Sequence, residues 1–229
     1  MDIRKVYHQL YREFGPQKWW PRTKAVALAR GKPSWYDGDF EVCVGAILTQ
    51  NTAWTNVEKA IANLLAEKLM SPQTITRCPS IKLARLIKPS GYFNQKTKKL
   101  KIFGAWLIKK YDGDLKKFFK QPLLSAREEL LSLWGIGPET ADSMLLYAGN
   151  KPIFVIDAYT KRLCHEYGVE FEAYEEYQKF FQRGLGESGH RIRLYNEFHA
   201  LIVRWGKENP PQAYSKYGGS AFGGNPGRH

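Results

Sequence analysis

Cysteine is scarce in this chain and long apolar runs are missing, and each absence excludes a class of protein. The three cysteines, Cys43, Cys78 and Cys164, lie far apart and form no CxxC pair. A zinc knuckle and a four-cysteine iron–sulfur site are therefore excluded, and reduced, buried thiols are expected. No segment approaches the roughly 18 uninterrupted apolar residues of a membrane-spanning helix, and the charged N-terminus lacks the apolar core of a signal peptide. We expect a cytoplasmic protein that does not bind membranes.

Acidic residues are also in deficit. Lys and Arg number 35 against 22 Asp and Glu, which gives a net charge of +13 and an isoelectric point near 9.6. Such an excess favours a polyanionic partner, most simply nucleic acid, although a basic protein without such a partner is the alternative. The 229 residues, 43% of them hydrophobic and 14% aromatic, suffice for one large domain or two lobes with a sizeable core.

The five histidines share no metal-ligand spacing, so no metal site is predicted. His199 lies among apolar residues and is predicted to be a packing histidine with satisfied hydrogen bonds.

Apolar residues recur at helical spacing along most of the chain, and alternating strand patterns are scarce. The sequence therefore predicts an all-α fold, with a strand left open at Val42 and Val44. Residues 209–229 are rich in Gly, Pro, Ser and Tyr, contain no acid, and are predicted to form a flexible tail. The predicted helices span residues 3–14, 39–49, 53–69, 80–88, 95–111, 125–133, 138–149, 158–167, 174–183 and 191–207.

A glycine-punctuated turn, Gly135-Ile136-Gly137-Pro138, separates two of these helices. Glycines let a ligand approach the main chain closely, and N–H groups at a helix start attract anions, so the turn is predicted to hold a DNA phosphate. An ordinary turn between two helices is the alternative. Asp157 follows at the start of the next helix, where it can act as an N-cap or as a catalytic carboxylate. The two roles are compatible.

These features resemble a known signature. The segment LWGIGPETA at 133–141, followed by VID at 155–157, resembles the helix-hairpin-helix signature of base excision DNA glycosylases related to endonuclease III. FEVCVGAILTQNTAWTNVEKA at 40–60 and SGYFNQKTKKL at 90–100 are similar to two upstream segments of that superfamily. The resemblance covers about residues 15–207, and its motifs are specific in combination.

The resemblance implies an all-α, two-lobe fold with the active-site cleft between the lobes. A helical barrel at 31–150 would end in the hairpin, and the second lobe would combine residues 1–30 with residues 151–208. Many relatives end in four cysteines that hold an iron–sulfur cluster. This chain lacks them, so no cofactor is expected and packing must hold the C-terminal lobe. The expected contributors are Phe198, Leu201, Ile202 and Trp205.

For catalysis, the resemblance implies that Asp157 supports departure of the base. It would stabilise positive charge on the sugar and orient or deprotonate the attacking water. Relatives that also nick the backbone carry a lysine at the position of Glu139, and a carboxylate cannot form their Schiff base. A monofunctional glycosylase is therefore implied. Lys161, one helical turn after Asp157, is predicted to pair with that carboxylate or to contact a phosphate.

The aromatic residues bear on which base is removed. WWP at 19–21 together with LTQNTAW at 48–54 resembles the 3-methyladenine branch of the superfamily. Trp19, Trp20, Pro21 and Trp54 are therefore predicted to form the base pocket. Aromatic rings attract an electron-deficient alkylated purine by about 0.5–2 kcal/mol per contact, and core or lid packing is the alternative for each.

The remaining predictions concern DNA contacts. The resemblance places Gln50 or Asn51 at a wedge that replaces the extruded base, with a helix-end cap as the alternative. Lys96 is predicted among the phosphate contacts, against a merely solvated helix face. The resemblance also implies that the hairpin carbonyls can hold a monovalent cation. The hairpin residues predicted to contact DNA are Gly135, Ile136, Gly137, Glu139 and Thr140.

The predicted function is hydrolysis of the N-glycosidic bond of alkylated purines, chiefly 3-methyladenine, in damaged double-stranded DNA. The enzyme would be a monomer associated with the nucleoid. A glycosylase for another lesion, a bifunctional lyase and a non-catalytic DNA-binding protein remain as alternatives. A pure binder would not need a carboxylate facing a polyanion, so Asp157 argues against the last.

Overall fold

The computed structural model of the chain describes residues 1–17, 19, 35–187 and 189–210. Within these ranges every regular element is a helix, and one isolated bridge pairs Tyr36 with Met70, so the all-α prediction is confirmed. A 3₁₀ turn covers Lys88–Ser90, and Met144–Ala148 is π-helical. The α-helices are α1 (Ile3–Phe14), α2 (Gly38–Leu48), α3 (Trp54–Ala66), α4 (Pro72–Arg77), α5 (Ser80–Leu86), α6 (Phe93–Tyr111), α7 (Leu115–Phe119), α8 (Leu123–Leu131), α9 (Pro138–Ser143), α10 (Ala158–Glu166), α11 (Tyr174–Leu185) and α12 (Arg191–Glu208).

The first lobe, α2 to α9, is built around α2. The Asp37 side chain accepts hydrogen bonds from the N–H groups of Asp39 and Phe40, which caps the start of α2. Every residue from Phe40 to Leu48 is buried. A helix enclosed on all sides has no polar face, which explains why its sequence pattern also allowed a strand.

The second lobe joins the two ends of the chain. In this lobe α1 packs on α11 and α12, and α10 packs on α12. Phe198, Leu201 and Ile202 are buried and Trp205 packs against them, so the predicted packing of the C-terminal lobe is confirmed. The π-helical segment touches both α2 and α12 and therefore lies at the junction of the lobes. The predicted lobe boundary at residue 31 lies outside the described residues.

The sequence patterns did not predict two short helices, α4 and α7. The predicted helix 138–149 is α-helical only up to Ser143 and π-helical from Met144 to Ala148. Ser71 caps α4, forms a capping box with Thr74 and precedes Pro72, which is a start signal that the sequence does contain. The segment after α9 widens into a π-helix at Met144, for which composition carries no signal.

Among the described residues, no helix is long and apolar enough to cross a membrane. The same residues contain no group of three or more His, Cys, Asp or Glu side chains that could hold a metal ion. All three cysteines are free and buried. The predicted tail lies outside the described residues except for Asn209 and Pro210.

Candidate active site

An extended, buried segment, residues 153–156, carries the chain to Asp157. Among the described residues this segment pairs with no strand, and three of its backbone polar groups bond instead to side chains of α11. The N–H of Phe154 donates to Oε1 of Gln182 at 3.2 Å, and the N–H of Ile156 donates to the Tyr174 hydroxyl at 3.1 Å. The segment before Asp157 is therefore held by α11.

A buried polar network connects that segment to both helices of the hairpin. Gln178 donates to the Phe154 carbonyl and to Oδ2 of Asp142 on α9, each at 2.7 Å. Arg127 on α8 donates to Oδ1 of Asp142 at 2.8 Å and to Glu175 at 3.2 Å. Because Asp142 is fully buried, these partners compensate its charge. The hairpin and the approach to Asp157 thus share one rigid frame.

Asp157 caps α10 and also faces inward. Oδ1 accepts hydrogen bonds from the N–H of Thr160 at 2.7 Å and from its hydroxyl at 2.8 Å, which confirms the predicted cap. Oδ2 faces Nε2 of His199 at 3.5 Å, and the Asp157 side chain is 13% exposed. Burial raises the pKa of Asp157, but the nearby His199 imidazole and the hydrogen bonds from Thr160 bring it below the usual value. The carboxyl group is therefore ionised at neutral pH.

Glu139, in the first turn of α9, lies close enough to Asp157 for their charges to interact. Desolvation raises the pKa of Glu139, the Asp157 carboxylate raises it further, and His199 and Lys161 oppose the rise. The side chain that faces Oδ2 of Asp157 is His199, whereas the Lys161 ammonium lies 5.5 Å from the centre of the Tyr177 ring. The structure thus does not support the predicted pairing of Lys161 with Asp157.

Two of the predicted pocket aromatics contact each other. The ring centres of Trp19 and Trp54 lie 6.1 Å apart at an interplanar angle of 50°. Burial raises the pKa of Tyr147 well above its usual value, Asp157 raises it further, and a hydrogen bond from Trp19 opposes the rise. Trp19 therefore reaches the group of side chains that surrounds Asp157. Trp20 and Pro21 lie outside the described residues.

The two glycines of the hairpin turn have different reasons to be glycine. Gly135 has a φ of +82°, and a Cβ there would lie 2.5 Å from Cε of Lys99. Gly137 has an extended backbone, and a Cβ there would meet nothing within 4 Å. Within the described part of the chain, neither N–H has a protein acceptor. The surface at Gly137 is therefore open to an approaching anion.

The structure corrects the prediction for Ile136. Its side chain is buried, and its N–H donates to the Leu133 carbonyl at 3.1 Å. Ile136 thus anchors the turn and has no N–H to offer a phosphate. The monovalent cation stays a prediction, and the Gly135 carbonyl, one of its expected ligands, already accepts a hydrogen bond from Gln50.

Gln50 connects the end of α2 to the hairpin. Nε2 of Gln50 donates to the Gly135 carbonyl at 3.1 Å and to Oγ1 of Thr140 at 2.8 Å, while Lys99 donates to Oε1. The Thr140 side chain is consequently buried and engaged, not exposed to DNA. Asn51 is exposed and has a φ of +53°. Of the two residues predicted as the wedge, Asn51 is the exposed one, and the wedge itself stays a prediction.

The structure also corrects the prediction that Lys96 contacts a phosphate. Lys96 is 2% exposed, and its ammonium donates to the carbonyls of Leu48 at 2.9 Å and Ser90 at 2.6 Å. Burial and the nearby Lys99 charge lower its pKa to about 8. Lys96 caps the last carbonyl of α2, that of Leu48, and ties it to the 3₁₀ turn, which supports the corner that carries Gln50.

Sequence reasoning overlooked Trp134, which precedes Gly135 in the turn. Trp134 is 48% exposed, and the Lys98 ammonium lies 4.2 Å from its ring centre. The sequence did contain a signal for this residue, because a large aromatic side chain beside a glycine-rich turn is seldom exposed without a reason. It adds an aromatic and a cationic group to the exposed side of the hairpin.

Sequence and fold both match one known superfamily. The family model of the HhH-GPD superfamily of base excision DNA repair proteins matches residues 44–186. MJ1434 of Methanocaldococcus jannaschii, whose name assigns it provisionally to the DNA repair glycosylases, is 41% identical over 205 residues, 88% of this chain and 85% of its own. Endonuclease III of Thermotoga maritima is 28% identical and aligns over 73% of each chain.

A solved structure gives the corresponding match in three dimensions. The crystal structure of Helicobacter pylori 3-methyladenine DNA glycosylase (MagIII), bound to 1,N6-ethenoadenine, superposes with a TM-score of 0.72 at 29% identity. The match covers 91% of this chain and 98% of that one.

Proposed function

Because the chain belongs to the HhH-GPD superfamily of base excision DNA repair proteins and is a DNA glycosylase, we propose that it is monofunctional and releases alkylated purines. Its chief substrate is 3-methyladenine in double-stranded DNA. The observation that carries the proposal is the contact of Trp19 with Trp54, because Trp19 also lies next to Tyr147 in the group around Asp157. The resemblance, which gives Glu139 the position of the lyase lysine, supports the absence of lyase activity. Similarity to a 3-methyladenine glycosylase supports the same substrate.

The aromatic pair suits a cationic base. Methylation at N3 gives the adenine ring a positive charge, and aromatic faces attract such a charge more strongly than a neutral purine. The same charge weakens the N-glycosidic bond, so the base can leave without a strong general acid. Selection in the pocket and stabilisation of the sugar are then the two tasks left to the protein.

Asp157 performs the second task. When the C1′–N9 bond breaks, its electron pair returns to the base, which leaves as neutral 3-methyladenine, and positive charge develops on the sugar. The ionised Asp157 stabilises that charge. Water then adds at C1′ and gives up a proton to the carboxylate or to solvent, which produces an abasic site.

The proposal is tested by measuring free base released from a panel of duplexes under single-turnover conditions. The panel contains 3-methyladenine, 1,N6-ethenoadenine, 7-methylguanine, 8-oxoguanine and uracil. We expect the fastest release from the methylated purines, with strand cleavage only after alkali. Faster release of uracil or 8-oxoguanine would assign the enzyme to another lesion.

Trp54→Ala in the same panel tests the pocket. Removing one aromatic face should reduce the preference for 3-methyladenine over unmodified adenine by about tenfold, the size of one stacking contact. Trp106→Phe, a change in the first lobe remote from the site, serves as the matched aromatic control. An unchanged preference in Trp54→Ala would remove this residue from the base pocket.

The hairpin offers a matched pair of glycine variants. Gly137→Ala should fold normally, because its Cβ meets open space, but should weaken binding to a duplex with an abasic-site analogue by about tenfold, since the methyl group occupies the path of the phosphate. Gly135→Ala should instead lose about 1–2 kcal/mol of stability through its positive φ. Thermal melts and salt titrations of Kd separate the two effects. Normal DNA binding by Gly137→Ala would contradict the phosphate contact.

A further inference from the structure

The partners of Asp157 continue inward as a chain of polar side chains. Oδ2 faces Nε2 of His199 at 3.5 Å, and Nδ1 of His199 contacts the hydroxyl of Tyr147. His199 and Tyr147 are both buried, so water does not compete for these groups. Nε2 of His199 has no other acceptor among the described residues. A buried imidazole nitrogen without a good hydrogen bond is costly, so its aim at the carboxylate indicates a function.

The backbone brings the Tyr147 hydroxyl to His199 through an unusual turn. In Met144–Ala148 the N–H of Gly149 donates to the Met144 carbonyl, five residues earlier, at 3.0 Å. Such π-helical turns are rare and are often found at functional sites, because they redirect the side chains that follow. Here the turn lies against α12, which carries His199.

The hydrogen bonds from Tyr147 through His199 to Asp157 can all point the same way, with each group donating to the next. The indole of Trp19 lies close enough to the Tyr147 hydroxyl to oppose the rise in its pKa. The Tyr147 O–H then donates to Nδ1 of His199, which leaves the proton of the neutral imidazole on Nε2. That N–H points to Oδ2 of Asp157, while Thr160 donates twice to Oδ1. In this arrangement Nδ1 of His199 and both carboxylate oxygens of Asp157 each face a hydrogen-bond donor.

We propose that His199 is a positioning residue for Asp157: Tyr147 selects the tautomer protonated on Nε2, and this N–H holds Oδ2 in place as a charged acceptor. Trp19 of the predicted base pocket lies next to Tyr147, at the inner end of this series of side chains. The proposal rests on the proposed catalytic role of Asp157. Besides Asp157, the groups facing His199 are Tyr147 from the π-helical segment and Glu139 from α9, with Lys161 acting on Glu139.

Two amide variants distinguish the roles of the two ring nitrogens of His199. Gln places its amide nitrogen near the position of Nε2 and keeps a donor to Asp157, whereas Asn places its amide near Nδ1 and keeps only the contact with Tyr147. Base release under single-turnover conditions should fall less than about fivefold in His199→Gln and about 100-fold in His199→Asn, a loss typical of a misplaced catalytic group. Equal losses in the two variants would overturn the proposal.

The pH profile of base release adds a readout that packing alone would not move. Without a donor at Oδ2, the pKa of Asp157 rises, so the acidic side of the profile should shift upward by about one pH unit in His199→Asn but not in His199→Gln. Because Glu139 titrates nearby, each profile is repeated with Glu139→Gln. Profiles that coincide for the Asn and Gln variants would contradict the proposal.

A measurement on the wild-type protein is decisive even where a variant does not fold. The ¹⁵N chemical shifts of His199 at neutral pH should report a neutral ring with the proton on Nε2, and Tyr147→Phe should mix the tautomers. A proton on Nδ1, or a fully protonated ring, would overturn the proposal. If Asp157→Asn still releases base at the wild-type rate, the proposed role of Asp157 fails instead, whatever the tautomer.

Discussion

Replacing Asp157 by Asn is expected to lower the rate of base release by about 10³-fold or more, while binding to a duplex with an abasic-site analogue is retained. Loss of a charge-stabilising group or of a proton acceptor typically has this size. Asparagine caps helices as well as aspartate does, so the bonds from Thr160 at the start of α10 survive. The variant therefore removes the charge and little else. Single-turnover release and equilibrium binding, measured on the same preparation, check both parts.

Glu139→Gln is the matched control for this experiment. Glu139 is the other carboxyl group near the site, and its raised pKa makes it the alternative proton acceptor. We expect a loss at least about tenfold smaller than that of Asp157→Asn, because Glu139 lacks the bonds that hold Asp157. A larger loss in Glu139→Gln would transfer the catalytic role to Glu139. Wild-type release by Asp157→Asn would end the assignment of Asp157.

The parts of the site that were predicted correctly depend on local sequence. The hairpin turn and the capping role of Asp157 each follow from a few consecutive residues. The positive φ of Gly135 and the hydrogen bond from Thr160 to Asp157 each involve residues no more than three positions apart in the sequence. Such short-range rules act in the same way in any fold.

The parts that were wrong or missed depend on contacts between distant segments. Gln50 reaches the hairpin across 85 to 90 residues of sequence, and Tyr147 meets His199 across 52. In the sequence, Lys96 cannot be told apart from the solvent-facing lysines of α6. It is buried because the C-terminal end of α2 packs there and its Leu48 carbonyl accepts a hydrogen bond from the Lys96 ammonium. Periodicity describes one helix at a time, so it cannot reveal which polar side chain another helix will cover.

Introducing lysine at position 139 is expected to convert the enzyme into one that forms a covalent complex with abasic DNA. Residue 139 lies in the first turn of α9, and the Glu139 side chain is close enough to Asp157 for their charges to interact. We therefore expect an amine at this position to reach the deoxyribose on which Asp157 acts. The amine can attack C1′ of the open-chain sugar and lose water to form an imine. Elimination then breaks the C3′–O bond and cleaves the strand. Reduction with borohydride should trap the imine in Glu139→Lys and not in the wild type.

The double variant Glu139→Lys with Asp157→Asn separates amine chemistry from base release. On DNA that already contains an abasic site, no base needs to leave, so trapping should persist; on methylated DNA it should disappear. Lys161, whose ammonium lies 5.5 Å from the centre of the Tyr177 ring, is another amine near Glu139, and Lys161→Met in the single variant should not reduce trapping. Trapping by the wild type would refute the monofunctional proposal. A folded, DNA-binding Glu139→Lys that traps nothing would show instead that residue 139 does not face the sugar, and the distinction between the two classes of glycosylase would then not rest on this position.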